Sequence, residues 1–383
     1  MLKLDIFPHI FPQAFFERMK TIAERNPALG AQLKRWLHIP VLWDLEARIK
    51  MMRRFPEYKQ ILTLSLPAIE FLGNENETPA LARLANDGMH EIVQAHPDLF
   101  PAFVASLPLN NVAASLEEME RAIGRLGAKG IQIFTNMNGR PMDEPGFFPI
   151  FERMANHYRL PIWVHPVRTA KFADYPSAEQ KSKYEMWWLF GWPYETSVFM
   201  GRMVFSGMFD KLPDLRIITH HLGAMVPFLS HRVGYGMDQF GARTSDEDYE
   251  GQLKKMKSRG KRPVDYFKMF YNDTSINGWA SGIRCGLDFF GSKRVLFGTD
   301  CPFDPQGGPL FIRETIKAID SLELKKADAR RLYFGLMPPP YHENRTEKPF
   351  LYPCTFSRKA TPTTGLETYM WGRSSLMIST TLR

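Results

Sequence analysis

Residues 4–12 read LDIFPHIFP. Side chains alternate along a strand, so Asp5, Phe7 and His9 share one face. A carboxylate and an imidazole seldom sit among core residues on one apolar face. This stretch is therefore either the first strand of a metal-binding barrel or a buried strand with a stray histidine. The choice depends on whether later strands end in the same way.

They do. Apolar stretches at 2–7, 60–66, 102–107, 130–134, 161–165, 216–220, 270–273 and 295–299 read as strands, several without polar interruption. That pattern suits strands covered on both faces. Amphipathic segments at 44–54, 79–96, 113–126, 147–158, 195–209, 224–240, 279–290 and 310–320 read as the helices between and after them. Eight strands, each followed by a helix, predict a parallel (β/α)8 TIM barrel of the α/β class. An open doubly wound sheet is the rival, but no Gly-rich turn follows the first strand, which argues against a dinucleotide site.

Two insertions leave strand C-termini, where barrel enzymes build their pockets. One follows strand one and contains LKRWLHIPVLWD (33–44); the other follows strand five and contains YEMWWLFGWPYE (184–195). Trp187, Trp188, Phe190 and Trp192 offer an apolar wall for a flat substrate, with Trp188 among the expected contacts; a core cluster under a long loop is the alternative. Residues 1–335 are expected to form one barrel domain. Residues 336–383 lack periodicity and read as an extended C-terminal tail, or as a change of reading frame after RRLYFG.

The chain has 383 residues, 44% hydrophobic and 23% charged, with 29 Phe, 13 Tyr and 8 Trp, which is a globular composition and not a disordered one. Net charge is +8, and the richest basic stretch is LKKMKSRGKR (253–262), too isolated for a nucleic-acid footprint. Three separated cysteines give no disulfide framework and point to a reducing compartment. No signal-peptide pattern opens the chain and no apolar run is long enough to span a bilayer. These readings place the protein in the cytoplasm, without nucleic-acid or membrane partners.

Chemistry-bearing residues gather at strand ends. His9 ends strand one, His165 strand five, His220 and His221 strand six, and Asp300 strand eight. Imidazoles and a carboxylate are ligands for zinc and similar divalent ions. Asp273 ends strand seven, as an orienting acceptor or a turn residue. Cys301 reads as packing. Arg168 is a candidate partner for a substrate carboxylate. Arg48 is a second, although a helix-surface role is the plainer reading.

Four motifs, DIFPHIFP, LPIWVHP, LRIITHHLGAMVPF and RVLFGTDCPF, together resemble the amidohydrolase superfamily. The likeness is to its branch of aminocarboxymuconate-semialdehyde, resorcylate and carboxyvanillate decarboxylases, over roughly residues 1 to 335. It implies one divalent metal, zinc first, with manganese, iron or cobalt as the other candidates. It implies His9, His165 and Asp300 as ligands, and His221 as the acid/base, with His220 beside it and directed into the barrel wall. The family's first ligand is a histidine two residues before His9; here Phe7 stands there, placed to contact substrate instead. Three protein ligands and a water remain, with His221 or His220 available to join them. The implied activity is non-oxidative decarboxylation of an aromatic or unsaturated carboxylic acid, with catalysis by His221 and Asp300. Hydrolysis or hydration on the same site is the alternative. A third is a subunit of a hetero-oligomeric metalloenzyme, iron-dependent oxygenases included. The implied partners are a small carboxylate substrate and either a second copy or a same-fold subunit.

Overall fold

The structure is a computed structural model that describes residues 1–243 and 249–335. The expected tail, 336–383, lies outside the described residues.

Eight parallel strands close on themselves. Strand β1 runs Lys3–Asp5 and resumes at His9–Ile10; β2 is Tyr58–Leu64; β3 is Ala102–Phe103 with Ala105–Ser106; β4 is Ile131–Phe134. Strand β5 is Ile162–His165, β6 Ile217–Thr219, β7 Tyr271–Asp273 and β8 Val295–Leu296. Neighbours pair in sequence order, with Asp5 opposite Gln60, Ile61 opposite Ala102, Ala105 opposite Ile131, Ile131 opposite Ile162, Ile162 opposite Ile217, Ile218 opposite Tyr271 and Asn272 opposite Val295. The seam is made by Ile6 N–H donating to Phe297 O at 3.0 Å and His9 N–H to Cys301 O at 2.7 Å. Asp5 adds side-chain bonds there: Oδ1 accepts from Thr299 N at 3.1 Å, and Oδ2 accepts from the Thr299 and Tyr58 hydroxyls.

The helices follow ordinary local rules. In Thr78–Ala95, Leu81, Ala82, Ala85, Met89 and Ile92 recur at helical spacing and are buried against the sheet. Asn111 caps Val112–Gly124 through Ala114 N–H. The first insertion holds helices Gln13–Ala23 and Pro27–Leu37, neither of which was read as periodic. It is stapled by Phe11 against Trp36 and Phe16 against Trp43. The helix expected from 224 begins only at Ser230, because Leu222 and Ala224 take left-handed backbone angles. The helix expected from 195 begins at Gly191. No helix among the described residues is long and apolar enough to cross a membrane.

Arg48 is not on the helix surface. It is fully buried on Leu45–Met52, and its guanidinium donates to Gln60 Oε1 at 2.8 Å, His9 O at 2.6 Å and Val41 O at 3.1 Å. One side chain thus ties the first insertion to β1 and β2, directly beneath His9. A guanidinium committed to backbone oxygens is no substrate anchor.

Candidate active site

The strand C-termini bring four histidines and one carboxylate together. His9, His165 and His220 are almost wholly buried, whereas Asp300 and His221 keep partial exposure at the mouth. His9 Nε2 lies 3.2 Å from Asp300 Oδ1, His220 Nε2 3.5 Å from the same oxygen, and His221 Nε2 3.7 Å from Oδ2. The His165 ring stands 5.2 Å from His9 and 5.0 Å from His220, between centroids. The nitrogens of His9, His165 and His220 fall within 4.8 Å of one another, and so do the donor atoms of His220, His221 and Asp300.

Local backbone choices aim these groups. His165 Nδ1 faces Pro166 O at 2.6 Å; a carbonyl only accepts, so the proton sits on Nδ1 and Nε2 keeps its lone pair for the cluster. His221 and Asp300 both sit at positive φ, +58° and +62°, which no neighbouring glycine announces. Gly223 completes the turn at φ +70°, where a Cβ would come within 2.8 Å of Asn272 Oδ1. Gly298 on the seam leaves room for Asp273, whose Cβ lies 2.8 Å from where a glycine Cβ would stand.

His220 does not point into the barrel wall. Asp273 accepts from its Nδ1, which turns Nε2 toward Asp300. Asp273 combines both expected roles, since its Oδ1 also accepts from Ser275 N at 2.9 Å. Phe7 lies nearly parallel to His220, centroids 4.0 Å apart and planes at 22°, so it packs inside the cluster, not toward the mouth. Trp192, not Trp188, walls the site: its ring is 5.4 Å from His165 and 6.4 Å from His221. Trp188 packs behind it, bonded through Nε1 to Glu185. Phe303 lies 5.5 Å from His9. Arg168 is committed elsewhere, paired with Glu195 at 2.9 Å and lying over Phe172. Its charge is already met, so the structure does not assign it a substrate.

The electrostatics follow from burial. Burial pushes His9 and His165 below the usual imidazole range, and in His165 the neighbouring His220 adds to it. Burial also opposes charge on His220, but Asp273 and Asp300 outweigh it and hold the ring at about 9. Burial would raise Asp300, yet the facing imidazoles of His220, His221 and His9 keep it well below the carboxylate range. Burial lifts the Cys301 thiol to about 12, which leaves no thiolate at neutral pH. Among the described residues, neither nitrogen of His9 nor Nε2 of His220 has a hydrogen-bonding partner. Buried polar atoms are ordinarily paired. Unpaired imidazole nitrogens converging on an ionised carboxylate are the donor set of a divalent cation.

Glu70, in the Ile69–Phe71 turn after β2, is a second buried acid, with Oε1 unpartnered among the described residues. Burial raises it from 4.5 to about 8. Between these values the unfolded chain has lost the proton and the folded chain retains it, so stability falls as pH rises from 4.5 to 8. At about 1.4 kcal/mol per unit, the full effect is at most about 5 kcal/mol. Glu70→Gln is expected to flatten this slope. Thermal midpoints from pH 5 to 8.5 check it, and parallel wild-type and variant curves would refute it.

Comparison with known proteins found similar sequences and similar folds. The family profile described as Amidohydrolase matches residues 36–335. The 2-amino-3-carboxymuconate-6-semialdehyde decarboxylase of Dictyostelium discoideum is 29% identical over 261 residues, 68% of this chain and 67% of its own length. The gamma-resorcylate decarboxylase of Rhizobium radiobacter is 28% identical over 309 residues, 75% of this chain and 86% of its own. Among solved structures, 5-carboxyvanillate decarboxylase of Novosphingobium aromaticivorans, complexed with manganese and 4-hydroxy-3-methoxy-5-nitrobenzoic acid, superposes with a TM-score of 0.72 at 23% identity. That match covers 87% of this chain and 93% of the other.

Proposed function

Because the chain belongs to the amidohydrolase family, we propose that it is a metal-dependent, non-oxidative decarboxylase of an aromatic or unsaturated carboxylic acid. The observation that carries this reading is the clustering of His9, His165 and His220, with Asp300 against His9 and His220, beside the Trp192 ring. The decarboxylase names of its relatives support it.

His9, His165 and Asp300 would hold the ion, with His221 beside them. A bound divalent ion supplies Lewis-acid polarisation of the substrate carboxylate and an adjacent oxygen. Trp192 and Phe303 stand against His165 and His9, and would orient a flat ring bound there. His221 Nε2 carries the proton delivered to the ring carbon. As the carbon–carbon bond breaks, its electron pair stays on that carbon, the proton joins it, and carbon dioxide leaves.

The imidazole-rich donor set makes zinc our assignment for the ion, with manganese the alternative. We assign function to the barrel, residues 1–335, with 336–383 as a tail, and place the protein in the cytoplasm as a homodimer or beside a same-fold subunit. Exposed Phe190, Tyr194 and Phe228 give such an interface apolar surface.

The test is carbon dioxide release from a panel of ortho-hydroxybenzoates by the metal-loaded chain. Expected are the matching arene, no oxygen consumption, and loss of turnover with the ion retained in His221→Asn. No release by a fully loaded protein would refute the activity, and lactone hydrolysis in its place would establish the hydrolase.

A further inference from the structure

We propose that His220 is a metal ligand of this chain, supplying from β6 the donor that Phe7 on β1 does not, and that Asp273 and Phe7 are its positioning residues. The proposal rests on the metal-dependent reading above and concerns which side chains hold the ion.

Position is the first argument. His220 is common to both groups of donor atoms that fall within 4.8 Å: one with His9 and His165, the other with His221 and Asp300. It is the hinge of the cluster. Without it, the two groups share no member.

Orientation is the second. Asp273 holds Nδ1, so Nε2 is the nitrogen presented to the cluster, and it is fully buried without a hydrogen-bonding partner among the described residues. An imidazole whose far nitrogen is fixed by a carboxylate is the usual arrangement of a metal-bound histidine. The Phe7 ring, fully buried and stacked at 4.0 Å, blocks rotation of the imidazole away from that position.

Exchange of place is the third. The Phe7 ring itself lies within the cluster, 5.8 Å from His9 and 6.2 Å from His165 between centroids. A ring at position 7 is thus near enough to serve the same ion, but phenyl has no lone pair. His220 faces it across a van der Waals gap, and its neutral form, reached when a cation displaces the Nε2 proton, has one. Donation moves from one stacked ring to the other, and the count of protein donors becomes four: His9, His165, His220 and Asp300. This set leaves His221 free for proton transfer.

The competing account makes His220 a structural link between the Asp273 and Asp300 carboxylates. Metal binding separates the two. Zinc affinity of the full-length apo-protein would be measured by competition with a chromogenic chelator, with circular dichroism as the fold control. His220→Gly is expected to weaken binding by more than the roughly 10- to 100-fold that loss of an orienting group costs, and Asp273→Asn to fall within that range. Adding Phe7→His to His220→Gly is expected to recover most of the loss, because it returns an imidazole to the same cluster from the other side. Should His220→Gly fail to fold, X-ray absorption of zinc-loaded His221→Asn decides: three imidazoles support the proposal. Wild-type affinity in a folded His220→Gly, no recovery in the double variant, or two imidazoles by absorption would each overturn it while leaving the metal reading intact. A wild-type chain that binds no ion would overturn both.

Discussion

Replacing Asp300 with asparagine is expected to lower decarboxylation by about 10³-fold, the scale on which a single preorganised electrostatic group acts at a reacting centre. Asp300 reaches three imidazoles, at 3.2, 3.5 and 3.7 Å, and is the carboxylate they share. Its ionised form is favoured by all three. Asparagine keeps the volume and removes the charge, so the fold should persist while the cluster loses what draws a cation to it. Turnover with whichever ortho-hydroxybenzoate the wild type accepts, together with metal content, checks this. A variant within tenfold of wild type in both would show that Asp300 is a turn residue and nothing more.

Arg48→Met is expected to cost roughly 2–5 kcal/mol of stability, because several buried acceptors lose their donor together. Methionine keeps the unbranched apolar stem but ends short of the guanidinium, and it leaves the oxygens of Gln60, His9 and Val41 without the donor they now share. Each buried acceptor left unpaired costs about 1–3 kcal/mol. His9 is also the donor that Arg48 braces from below, so metal affinity should fall together with stability. Urea unfolding of the apo-proteins measures the first effect apart from the second. A loss under 1 kcal/mol would mean that water replaces the guanidinium.

The barrel was legible because its strands are buried on both sides and therefore spelled in unbroken apolar residues. Strand five, read at 161–165, is Ile162–His165, and strand seven, read at 270–273, is Tyr271–Asp273. His9, His165 and Asp300 were legible for a related reason: a polar residue that ends such a run stands at the barrel mouth. The direction of His220 was not legible. Two adjacent histidines differ in aim only through the backbone, and the positive φ angles at Leu222 and Ala224, which follow that of His221, belong to residue types that rarely adopt them. Arg48 was hidden because its helix carries no sign of which face the insertion covers. Trp192 and Trp188 were inseparable until the helix start at Gly191 fixed which ring turns inward.

The seam described above has a consequence for biosynthesis. Asp5 and Thr299 meet across 294 positions of sequence, and the amides of Ile6 and His9 wait for carbonyls on the last stave. A ribosome that has not yet delivered Asp300 holds seven staves and two raw edges, which a protein this size must keep from pairing with strangers. The stave that seals the cylinder also brings the shared carboxylate. Completion of the donor set must therefore follow closure.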